Sequence, residues 1–127
     1  MNLMPLADRL EAAGLGTKGV DLFLNMMPAD VTTAIMMRPP LRGTPIDWEL
    51  PGFYKAEFQL IVRSPSYEDG LALTNQVVDA LTIIQEEVVG PLAFNYCRPR
   101  TEPVAFPISE GNLLEFNVYF DACYVKG

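Results

Sequence analysis

Phe53-Tyr-Lys-Ala-Glu-Phe-Gln-Leu-Ile-Val-Arg63, followed by Ser64-Pro-Ser66 and a run to Val88, decides the fold of this chain. Within the first stretch Tyr54, Ala56, Phe58, Leu60 and Val62 alternate with Lys55, Glu57, Gln59 and Arg63, and only Ile61 breaks the rule. Period-2 alternation over that length specifies a half-buried strand. After the turn, Tyr67, Leu71, Thr74, Val77, Val78, Leu81, Ile84 and Val88 recur at helical spacing along one stripe. Ser66 with Asp69 three residues on reads as a capping box with Asp in place of Glu. Gly70, an unfavourable residue in a first helical turn, points to a close backbone approach. The helix is expected to end near Val89 and Gly90.

Working outward, a second alternating run closes the chain. Leu114, Phe116, Val118, Phe120, Ala122 and Tyr124 fall on one face, and Glu115, Asn117, Tyr119 and Asp121 on the other. Toward the N-terminus, Leu3 to Ala13 reads as a short helix with Asn2 as N-cap, Pro5 in the first turn, and Gly14 and Gly16 as the stop. Val20–Met26 and the β-branched Val31–Met37 read as strands that pair most simply as a hairpin around Pro28-Ala-Asp30. Leu92–Cys97 is a short strand, and Ser109-Glu-Gly-Asn112 is a turn cluster.

The expected order is therefore α-β-β-β-α-β-β. This describes an α+β, sandwich-like single domain spanning residues 1–127. Its mainly antiparallel or mixed sheet has roughly four or five strands, covered on one face by the long helix and the short N-terminal one.

Two segments stand apart. Arg38–Gly52 carries four prolines and two glycines together with Leu41, Ile46, Leu50 and the only tryptophan, Trp48. Proline lacks the N–H donor that a sheet ladder needs, so the segment reads as a loop. Apolar residues on a proline-stiffened loop need a surface to lie on. The loop either folds back on its own domain or reaches a neighbouring subunit. Arg98–Asn112, with three prolines, is a second loop-rich region. Arg38, Arg42, Arg98 and Arg100 lie in these two loops. They read either as ordinary surface charge or as contacts to the acidic faces of adjacent copies or partners. Asp47 and Glu49 flank Trp48 and suit a salt bridge to a partner's arginine.

Composition narrows the chemistry. The 127 residues carry a net charge of -7 and a sequence pI near 4.4, which argues against a protein that grips nucleic acid through a basic face. There is no histidine, which removes Ser-His and Cys-His nucleophilic pairs and the commonest metal ligand. Cys97 and Cys123 are too few and too far apart for a zinc site or a disulfide framework and read as buried thiols. Gly14-Leu-Gly-Thr-Lys-Gly19 lacks the phosphate-loop spacing and follows a helix. Glu86 and Glu87, adjacent on a helix, read as a solvated face. No catalytic, cofactor-binding or metal-ligating constellation is expected, and so no enzyme and no cofactor. No stretch has the length of a membrane span, and the N-terminus lacks the pattern of a signal peptide, so a cytoplasmic protein is expected.

Leu6-Ala-Asp-Arg-Leu10 with Gly14-Leu-Gly16, Val20-Asp-Leu-Phe23 and Met27-Pro28 resembles the start of the tail terminator and minor capsid proteins of tailed bacteriophages. Phe58–Arg63, Ser64-Pro-Ser-Tyr67 and the Leu71–Leu81 helix resemble the central unit of the same family. The resemblance implies a virion structural protein, assembled in the host cytoplasm and located at the head–tail interface. It implies a homo-oligomeric ring, typically of six copies, that caps the tail tube, stops its polymerisation and docks to a head completion or connector protein. It implies no sequence-specific nucleic-acid binding, although DNA passes through such a ring, and no membrane partner. On that view Arg38, Leu41, Arg42, Ile46, Asp47, Trp48, Glu49, Arg98 and Arg100 are the candidate interface residues. The alternatives are another connector such as a stopper subunit, or a small α/β binding or adaptor domain unrelated to virions.

Overall fold

The structure is a computed structural model that describes residues 1–107 and 112–126. Among these residues, two helices and seven strands follow one another as α1 (Met4–Ala12), β1 (Leu22–Leu24), β2 (Ala34–Arg38), β3 (Phe53–Ser64), α2 (Tyr67–Leu81), β4 (Glu87–Val89), β5 (Leu92–Pro99), β6 (Val104–Pro107) and β7 (Leu114–Lys126). The strands form one mixed sheet in the order β1-β2-β3-β7-β5-β4, with β6 also pairing β7. The α+β class and the mixed character of the sheet stand, but the sheet is larger than the expected four or five strands.

The two long alternating strands are its centre. β3 and β7 pair antiparallel along their whole length, from Phe53 opposite Val125 to Ser64 opposite Leu114. This register places like with like. Phe58 stacks on Phe120 with ring centroids 4.9 Å apart, and Tyr54 on Tyr124 at 5.4 Å. Ala56, Phe58, Leu60 and Val62 are buried with Phe116, Val118, Phe120, Ala122 and Tyr124 under the two helices. Ile61, the exception to the alternation, lies opposite Met36 on the second face, and both are buried. Arg63 donates to the carbonyls of Pro28 and Val31 on that face, which carries the connection between β1 and β2 across it.

That connection corrects the expected hairpin. β1 is only Leu22–Leu24 and runs parallel to β2, with Leu22 opposite Ile35 and Leu24 opposite Met37. Asn25, at φ 72°, turns the chain away immediately after Leu24 while its N–H still reaches the Met37 carbonyl at 2.9 Å. Parallel strands normally need a crossover of about a dozen residues. A shorter crossover over 25–33 suffices here because the paired strands are so brief.

α2 begins as the capping signal indicates. Ser66 Oγ accepts the Asp69 N–H at 3.2 Å, while the reciprocal partner for the Ser66 N–H is Ser64 Oγ rather than Asp69. The buried stripe is Gly70, Thr74, Val77 and Leu81. A Cβ on Gly70 would overlap the Phe116 ring and lie 2.9 Å from Ser64 Cβ, so the helix sits on the sheet at a distance only glycine permits. The helix stops at Leu81, not near Val89. Thr82, Ile83 and Ile84 are a β-branched run that gains more in extended pairing than in a helix. Ile83 and Cys97 exchange both backbone hydrogen bonds, at 2.7 and 2.9 Å. Glu87–Val89 then pairs with Leu92–Phe94 as β4. Arg9 of α1 donates to the Ala80 carbonyl at 2.6 Å and pairs with Glu87, supplying a cation to the end of a helix with no basic residue in its last turn.

At the N-terminus Leu3, not Asn2, occupies the cap position of α1, though Asn2 Oδ1 accepts the Met4 N–H at 2.9 Å. The second proline-rich region also differs from expectation. β6 pairs with β7 beside β5 and in the same direction, so β5 and β6 act as one long strand interrupted at 100–103. The turn cluster expected over 109–112 lies outside the described residues except for Asn112, which adopts φ 55°.

Candidate functional site

The helices cover one face of the sheet. The other face carries the outward positions of β3 and β7; the first proline-rich segment lies along it and Arg100 of the second reaches it, while Pro99 and Thr101 to Pro103 line a cleft against Tyr67, Leu71 and Val78 of α2. The β3–β7 register sets Glu57 opposite Asp121 and Gln59 opposite Tyr119. Arg42, from the first segment, reaches Glu57 Oε1 at 3.0 Å. Arg100, from the second, reaches Glu57 Oε2 at 3.2 Å and Asp121 Oδ1 at 2.6 Å. Arg38 donates to Gln59 at 2.9 Å, and Gln59 donates on to Asn117 at 2.6 Å. Glu57 is thus the point at which the two segments are tied to the sheet.

The electrostatics follow from these pairs. The Arg100 guanidinium, and then that of Arg42, hold the Glu57 carboxyl below the usual carboxylate range. Asp121, and then Glu57, raise the Arg100 guanidinium further above its already high value. All of these groups are solvated, and such pairs are worth about 0–1 kcal/mol each. Their effect is to orient the segments rather than to hold the fold together.

Between the start of the first segment and the sheet lies a cleft of about 510 Å³, lined by Arg38, Pro40, Leu41, Arg42, Gln59 and Tyr119 among others. Farther along, Pro45–Leu50 stands over Phe53 and Lys55 at the opening of β3. Its apolar residues face solvent: Trp48 is 85% exposed, and Ile46 and Leu50 are exposed as well, as is Leu41 beside the cleft. Asp47 Oδ1 accepts the Glu49 N–H at 2.9 Å, and neither carboxylate forms an ion pair among the described residues. Arg98 lies over the Tyr96 ring at 4.2 Å.

Of the candidate residues, the structure brings Arg38, Leu41, Arg42 and Arg100 together around Glu57 and Gln59. Ile46, Asp47, Trp48 and Glu49 form a separate projecting tip, and Arg98 packs on Tyr96 while lying opposite Asp121, the partner of Arg100, across the β5–β7 ladder. Glu57, Gln59, Tyr119 and Asp121 were not singled out from sequence. Their only signal was membership of the polar faces of two strands, and their convergence depends on the strand register. Cys97 and Cys123 are free and buried, and they project to opposite faces of adjacent strands. Burial pushes the Cys97 thiol up to about 12. Among the described residues no group of His, Cys, Asp or Glu is arranged to hold a metal ion, and no helix is long and apolar enough to cross a membrane.

The face of the mixed sheet left open by the helices thus presents arginines from two segments and an exposed apolar tip. Residues 9–126 match the family described as bacteriophage tail terminator protein. The chain belongs to that family and is a structural tail protein of the virion. No curated protein matches the sequence. Among solved structures, the fold is similar to a chain from the virion of a native gene transfer agent particle. The two share 17% identity with a TM-score of 0.67, over 96% of this chain and 92% of that one. A second solved chain is similar at 14% identity and a TM-score of 0.51, over 94% of this chain and 89% of that one.

Proposed function

We propose that the protein is a tail terminator subunit. Copies assemble as a ring, of six by family resemblance, that caps the tail tube, stops its polymerisation and offers the surface to which head completion proteins dock. Assembly takes place in the host cytoplasm, and DNA passes through the finished ring without sequence-specific contact. The observation that carries this reading is membership of the tail terminator family over residues 9–126.

The exposed apolar tip at Ile46–Leu50 supports an assembly role, since indole and aliphatic surface held in water on a stiffened loop is the material of an interface. The net charge of -7 suits a channel that lets DNA slide past. Arg38–Gly52 and Arg98–Asn112 are the contact elements in this proposal.

The experiment is tube polymerisation followed by electron microscopy, with and without the protein. Added protein is expected to shorten the tubes and to leave a density on one end. Tubes of unchanged length with bare ends would overturn the terminator role. A density found only on isolated head connectors would transfer the protein to a stopper role.

A further inference from the structure

The geometry points to a specific pairing within the proposed ring: the Ile46-Asp47-Trp48-Glu49 tip of one copy seats in the cleft of the next copy, against Arg38 and Arg42. This inference rests on the ring reading and names the two surfaces that meet in it. The tip carries two carboxylates that form no ion pair among the described residues, although Lys55 lies at its base, and between them an indole that is 85% exposed. The cleft offers the complement. Arg38 and Arg42 stand on its wall, Leu41 and Tyr119 supply apolar surface, and its volume of about 510 Å³ lies in the range that accommodates a ring-sized group.

Within one chain the tip and the cleft are held apart. The tip stands over Phe53 and Lys55, whereas the cleft lies over Glu57 and Gln59, farther along the same face of β3. The second copy is therefore the occupant that meets both needs. It brings acid to arginine and covers Trp48 in one contact. Two different patches on each copy make the contact heterologous, and heterologous contacts that close generate rings.

Charge reversal in trans tests the pairing. The tip variant is Asp47→Arg/Glu49→Arg. The cleft variant is Arg38→Glu/Arg42→Glu, with Glu57→Gln so that the new carboxylates are not repelled within their own chain. Each variant is checked by circular dichroism and examined by native mass spectrometry alone and in a 1:1 mixture. Each alone meets like charge at every contact and is expected to lose the wild-type oligomer. In the mixture, reversed tips meet reversed clefts and native tips meet native clefts, so the oligomer returns with the two variants in equal amounts. Folded single variants that still assemble as wild type does would overturn the pairing and leave the ring reading standing. So would a mixture of folded variants that fails to recover the oligomer. A wild-type protein that is itself monomeric, with and without tube protein, would overturn the ring reading as well.

Discussion

Replacing Gly70 with alanine sets two effects of known size against each other. In an open helical position the change stabilises by about 1 kcal/mol through helix propensity. At Gly70 the added methyl would overlap the buried Phe116 ring and lie 2.9 Å from Ser64 Cβ. Neither neighbour yields easily. Phe116 is buried and packs against Tyr67 at 5.6 Å, and Ser64 belongs to the central strand, paired with Leu114. Forcing a methyl into such a contact costs about 1–3 kcal/mol, and two rigid neighbours place this site at the upper end. The overlap wins, leaving a net loss of roughly 2 kcal/mol. For a chain of this length that is a fall in Tm of roughly 6–10 °C. Thermal and urea unfolding followed by circular dichroism measure it, with Asn75→Ala on the exposed side of α2 as a control that gains a few tenths of a kcal/mol. Phe116→Leu in the Gly70→Ala background should cost less than Phe116→Leu alone, because the ring that meets the new methyl is gone. A Gly70→Ala protein as stable as the wild type, or more so, would refute the close approach of helix to sheet.

Three further outcomes follow from the same geometry. Phe58→Ala removes a fully buried ring stacked on Phe120 and should cost about 3–5 kcal/mol in urea unfolding; a loss below 1 kcal/mol would contradict the central packing. The Glu57 carboxyl is held below its ordinary value of 4.5, so its contribution to stability is present above that pH and is lost as pH falls through the lower folded value. Because the group is solvated, Glu57→Gln should cost under about 1 kcal/mol at pH 7 and slightly flatten the acid limb of a pH–stability profile; a cost of several kcal/mol would show that the pairs hold the fold. Burial and a thiol pushed up to about 12 should keep Cys97 unlabelled by maleimide in the native state at pH 7 and expose it only on unfolding, whereas rapid native labelling would contradict its place in the core.

The parts of the fold legible in the sequence are those written as long periods. β3 and β7 each keep one polar and one apolar face, and the start of α2 carries a capping serine, so their positions follow from local chemistry. Gly70 was readable for the same reason, as a residue whose cost needs a structural cause. The end of α2 was not readable. Leu81, Ile84 and Val88 continue a helical stripe by coincidence, and only the pairing of Ile83 with Cys97 draws the chain into the sheet. The parallel pairing of β1 was hidden because the turn at Asn25 needs a positive φ that the residue tolerates without advertising. β6 was hidden by Pro103 just before it and Pro107 at its end. At the candidate site the arginine-bearing segments were legible from composition, but their convergence on Glu57 was not, because it depends on which residues β3 and β7 set opposite one another.

We propose that this tail terminator family member works by closing into a ring on the tail tube. Native mass spectrometry of the wild-type protein, alone and with tube protein, tests it most directly. Ring closure gives a single closed stoichiometry well above the monomer, present at high concentration or on addition of tube protein. A strict monomer under both conditions would contradict it.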